Sequence, residues 1–190
     1  MYTEILSARS PFFKAAYERW QRSGEVIKLP EDEPSVFDNY LGCAYQDRIS
    51  PGEKSDGSTF ANLVKTNILA DKLGDLRAAN TCIDAMIAAS DDQKTIPSGA
   101  GLRCAYDGQP EASPLRRLFV DYYVHEAASE IFKNAMKRGP PEFVAAVANE
   151  FMRLKYAKGD AQVQHAYKWW CSKRPKCHYH QHNADHPLCK

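Results

Sequence analysis

The stretch from Phe60 to Ile87 carries apolar residues at helical spacing on both sides of a single glycine, and that pattern leaves it few ways to fold. Phe60, Leu63, Val64 and Ile68 recur at intervals of three and four, the stripe of an amphipathic helix. The pattern breaks near Gly74 and resumes with Leu76, Ala79, Ile83, Met86 and Ile87. Two helices joined by a tight glycine turn make an antiparallel pair, each covering the other's apolar face.

Helical spacing recurs elsewhere. The segment ILSARSPFFKAA predicts an opening helix over Glu4 to Tyr17, with Ile5, Leu6, Phe12, Phe13 and Ala16 as apolar anchors. Pro11 must interrupt or kink it, because proline lacks the donor and clashes with the preceding turn. Val26 to Leu29 is short, partly alternating and β-branched, and reads as a strand. Glu31, Asp32 and Glu33 lead into Pro34, which suits the solvated start of a helix. That helix places Val36, Phe37, Tyr40, Leu41 and Ala44 on one face. Ser50 to Ser58 is a polar Pro/Gly/Ser loop. A second polar stretch, Asp91 to Gly101, is the best boundary. Beyond it, Ser113-Pro114 forms an N-cap and first-turn pair ahead of Leu115, Leu118, Phe119 and Tyr122. After Gly139-Pro140-Pro141, a last helix carries Phe143, Val144, Val147, Phe151 and Leu154.

Read in order, ILSARSPFFKAA, EVIKLPEDEPSVFDNYLGCAY and LVKTNILADKLGDLRAANTCIDAMI resemble the BTB/POZ domain in the divergent form common in fungal proteins. The resemblance covers about the first half of the chain, and Asn80 falls on an asparagine of the family pattern. It implies an α+β, mostly helical fold. Residues 1–90 would form a BTB/POZ-like core, 91–170 a helical extension and 171–190 a Cys/His-rich tail. A complete BTB domain begins with a β-hairpin; this sequence starts at or within the first helix, so the resemblance implies a core truncated at its N-terminus. It also implies a non-catalytic scaffold for homo- or hetero-oligomerisation with another BTB protein. The first helix and its neighbours would supply the interface through Tyr2, Ile5, Phe12 and Trp20. The alternative is a substrate adaptor of a cullin ubiquitin ligase. Family members with that role carry an apolar-x-Glu motif before the strand, where this chain reads Arg19-Trp20-Gln21.

The chemistry-bearing residues concentrate in the tail, KCHYHQHNADHPLCK, with Cys171 just upstream. Cys177, His180, His182 and Cys189 form a C-x2-H-x-H-x6-C set of the ligand types tetrahedral zinc takes. His180 and His182, two apart, share one side of an extended strand. A structural zinc is the cofactor such a set would hold; the alternative is a solvent-exposed tail that binds nothing. Upstream, KWWCSKRPK interleaves tryptophans with cations, a mixture that serves nucleic-acid binding or, as read here, a helix whose tryptophans dock on the body. With a formal net charge of +1 over 190 residues, nucleic acid loses its electrostatic argument.

Catalytic motifs are missing. His125-Glu126-Ala127-Ala128-Ser129 departs from H-E-x-x-H at its second histidine, and Ser98-Gly99-Ala100-Gly101 lacks the lysine of a phosphate loop. Cys43, Cys82 and Cys104 sit among apolar neighbours and read as small core residues. No apolar run approaches the roughly 18 to 20 residues a bilayer requires, and no secretory signal is seen. An intracellular protein with reduced cysteines, in cytoplasm or nucleus, is the expectation.

Overall fold

Pro11 ends one helix and begins another. α1 (Tyr2–Arg9) stops at Ser10, and α2 (Pro11–Ser23) opens with the proline in its first turn. The computed structural model describes residues 2–24, 28–29, 31–49, 58–156 and 177–184. Ser10 does two jobs at this break. Its Oγ accepts from Phe13 N at 3.2 Å, capping α2, and donates to Leu73 O at 2.6 Å.

α3 (Pro34–Gln46) buries Val36, Tyr40, Cys43 and Ala44, the face that its apolar spacing marks. The glycine-linked pair is α4 (Ser58–Lys72) and α5 (Leu76–Gln93), packed closely along their length. Gly74 turns the chain at φ +73°, a conformation that suits a residue without a Cβ. Asp75 then caps α5, its Oδ1 accepting from Ala78 N at 2.9 Å. In the acidic turn ahead of α3, Glu31 and Glu33 stay largely exposed while Asp32 is mostly covered. Asp32 lies 2.9 Å from Lys72 Nζ, and Lys65 pairs with Glu33, so α4 holds that turn in place.

Four more helices complete the body: α6 (Ala100–Gly108), α7 (Pro114–His125), α8 (Ser129–Arg138) and α9 (Pro141–Tyr156). Ser113 caps α7 as its sequence predicts, with Oγ 3.1 Å from Arg116 N. α4 touches α3, α5 and α6, while α7 packs on α6 and α9. A single apolar cluster runs through all of this, from Phe13 and Tyr40 through Met86 and Leu102 to Phe119, Phe143 and Tyr179. The polar stretch after α5 contributes to it as well: Ile96 is buried, and Tyr123 donates to Pro97 O at 3.1 Å.

The α+β, mostly helical expectation holds in its helical part: the described residues are mostly helical and contain no strand. Of the expected strand Val26 to Leu29, Val26 and Ile27 lie outside the described residues, and Lys28 and Leu29 belong to neither helix nor strand. Phe151 lies on the last helix, as its spacing predicts. It is 41% exposed on α9 and meets the Phe132 ring edge-on at 5.8 Å.

Candidate interaction surfaces

The first surface lies on α1 and α2. Ile5 and Phe12 are each 37% exposed and Trp20 is 42% exposed. Phe12, Ala16 and Trp20 recur every fourth position, the spacing that aligns side chains along one side of a helix. The Trp20 ring stacks on Tyr17 with centroids 5.7 Å apart. Tyr2 opens α1, but its side chain lies outside the described residues.

These helices are held firmly to the body. Arg9, the last residue of α1, donates from Nε to Asp75 Oδ2 at 2.9 Å and from Nη1 to Asp47 Oδ1 at 2.7 Å. The Asp75 side chain has no exposure, and Tyr40 also donates to it, at 3.2 Å. Burial, followed by the nearby Asp75 charge, pushes the Tyr40 phenol far above its ordinary pKa. One guanidinium thus joins the end of α1, the C-cap of α3 and the N-cap of α5.

The second surface is the groove where residues 178–181 lie against side chains of α4, α5 and α7. Tyr179 is 2% exposed, and its hydroxyl donates to Asp121 Oδ2 at 2.6 Å. Burial raises the Asp121 carboxyl to about 6, against the lowering effect of that hydrogen bond. The Arg117 guanidinium sits 5.3 Å over the Tyr179 ring and donates to His178 O. Asn80 donates from Nδ2 to Gln181 O at 2.9 Å and accepts from Gln181 N at 2.9 Å. Gln181 in turn donates to Asp71 Oδ1 at 3.3 Å. Sequence reasoning placed Asn80 in a pattern but gave it no task. Its partner is a hundred and one residues away, and local periodicity carries no signal for such a contact.

The expected zinc set is only partly placed. Cys177 is half-buried, and the rings of His180 and His182 approach to 6.0 Å between centroids. His180 Nε2 lies 2.9 Å from Asp84 Oδ1, and His182 Nε2 is buried without a hydrogen-bond partner. Cys189 and Cys171 lie outside the described residues, as does KWWCSKRPK. Among the described residues no cluster of three or more His, Cys, Asp or Glu side chains is arranged to hold a metal ion.

Beside the tail opens a 560 Å³ cleft lined in part by Arg116, Arg117, Asp121, His125, Glu150 and Arg153. Its arginines are engaged: Arg153 forks onto Glu150, Arg116 donates to Tyr106 O, and Arg117 holds the tail. The near-motif beginning at His125 is split by the chain itself, since His125 ends α7 and Ser129 begins α8.

Residues 3–90, just under half of the chain, match the sequence model of the BTB/POZ domain. That domain is a scaffold for protein–protein interaction. No curated protein and no solved structure matches the chain. No helix among the described residues is long and apolar enough to cross a membrane.

Proposed function

We propose that this protein is a non-catalytic scaffold that self-associates through the α1–α2 face, with a second BTB protein as the alternative partner. The observation that carries this reading is the exposure of Ile5, Phe12 and Trp20 on two helices anchored by Arg9 and Ser10. Large apolar side chains in water favour any association that covers them, by about 25 cal/mol per Å² buried. Because the helices are already fixed, little ordering cost opposes that gain. The helices from α6 to α9 contribute residues to the same core.

The test is molar mass by light scattering across a dilution series. A dimer that dissociates on dilution is expected, and Trp20→Arg or Phe12→Asp shifts it to monomer while leaving the helical circular dichroism intact. Truncating a buried aromatic anchor of this kind costs about 2 kcal/mol of binding. A native chain that stays monomeric at every concentration, or a dimer indifferent to both substitutions, would sink the reading.

A further inference from the structure

We propose that the groove between α4, α5 and α7 is a peptide-docking site for a partner segment that turns as Cys177–His180 does and carries a tyrosine two positions before the residue that Asn80 holds. The chain's own Cys177–Gln181 is its resident occupant. This deepens the scaffold reading and rests on it.

Two kinds of recognition meet in the groove. Asn80 makes both hydrogen bonds to Gln181 that a neighbouring strand would make, one donated and one accepted. Those bonds read backbone alone, so they accept any residue that has an N–H; just before Gln181 the segment turns, with His180 N donating to Cys177 O at 3.1 Å. Selectivity comes from the side chains. Tyr179 fills a slot in the apolar cluster, with its hydroxyl on Asp121 and its ring beneath Arg117. Asp84 meets His180 and Asp71 meets the Gln181 amide, so the groove presents acceptors to a segment rich in donors. The partner it fits is therefore a neutral or basic peptide that can form this turn and carries tyrosine and further N–H donors, not an acidic one.

The anchors come from three helices: Asp71 on α4, Asn80 and Asp84 on α5, Arg117 and Asp121 on α7. None of these contacts depends on the covalent link between groove and occupant, because they join positions 58 to 110 residues apart. The same sequence from another molecule meets the same atoms. Tethering gives the resident segment a high effective concentration, so a competing peptide is best detected once that segment is weakened.

The experiment titrates a fluorescently labelled synthetic peptide of residues 176–184 into the full-length protein and follows anisotropy. The native chain is expected to bind it weakly. A Gln181→Pro chain, which lacks the N–H that Asn80 accepts, should bind it saturably. Adding Asn80→Ala should weaken that binding about tenfold, and a peptide carrying Tyr179→Ala should not compete. Should Gln181→Pro fail to fold by circular dichroism, a Tyr179→Phe chain, which keeps the ring and loses only the hydroxyl, takes its place. No binding to a folded weakened chain, or binding indifferent to Asn80→Ala, overturns the groove. Equal binding to native and weakened chains overturns the resident role of Cys177–Gln181. A monomeric chain that still captures the peptide leaves the groove standing and removes only the self-association reading.

Discussion

Gly74 stands directly against Pro11: a Cβ built on the glycine would lie 3.1 Å from Pro11 Cδ. The turn between α4 and α5 and the break between α1 and α2 are therefore one packed joint, completed by the Ser10 hydroxyl on Leu73 O. Gly74→Ala meets two penalties there. The left-handed backbone costs an L-residue about 1–2 kcal/mol, and the ring of Pro11 must give way. The urea midpoint should fall with little change in the denaturant slope. Pro11→Ala in the same chain should recover the steric part and leave the backbone part. A Gly74→Ala protein as stable as the native one would show that the joint is not tight.

Arg9 and Asp75 form the other half of the joint, and the aspartate side chain is fully buried. Removing the guanidinium strands a carboxylate away from water, a change that costs about 3–5 kcal/mol in buried pairs. Arg9→Met should destabilise by that order. Asp75→Asn added to it should return part of the loss, since the amide oxygen still caps α5 and no charge remains. A double-mutant cycle in chemical denaturation measures the coupling. Additive effects would mean that the pair contributes no more than its separate parts.

Cys43 and Cys82 have no exposure and share a hydrogen bond between α3 and α5. That bond lowers the Cys43 thiol, while the same contact and then burial raise Cys82 well above its ordinary value. A thiol hidden from reagent reacts only through opening of the fold. Mass spectrometry after brief alkylation at neutral pH should find Cys177 modified before either of them. Cys104, half-buried and with its thiol pushed up by burial, should fall between. Early modification of Cys43 would indicate that α3 separates from α5 far more readily than the rest of the core.

The sequence made the helices legible because their signals are local. Pro11, Gly74, Ser113 and Pro141 each mark an element end through backbone chemistry that acts within a turn, and the apolar stripes of α3, α4 and α5 face the core as their spacing requires. What stayed hidden depends on contacts between distant segments. Phe151 continues an apolar stripe on α9 yet points outward, because only a helix's neighbours decide how wide a stripe is covered. The tail was legible as a set of metal-ligand types. Its docking through Tyr179 and Gln181 was not, since Asn80 and Asp121 look like ordinary helix residues until the tail is laid across them.

Asp121 makes that docking sensitive to pH. Burial raises its carboxyl from 3.8 to about 6, so over this range the folded protein keeps a proton that the unfolded chain has released. A folded-state pKa above the unfolded one contributes stability that is fully present below about pH 4. It is lost as pH rises through about 6. The difference corresponds to about 2–3 kcal/mol, an order of magnitude set by the size of the shift. Asp121→Asn keeps an acceptor for the Tyr179 hydroxyl and removes the titration. Relative to the native chain, it should therefore gain stability steadily between pH 4 and 7 and change little beyond. Denaturation midpoints at several pH values give the comparison. Parallel pH profiles for the two proteins would show that Asp121 titrates in the folded state as it does in the unfolded one, and that the Tyr179 contact carries no pH dependence.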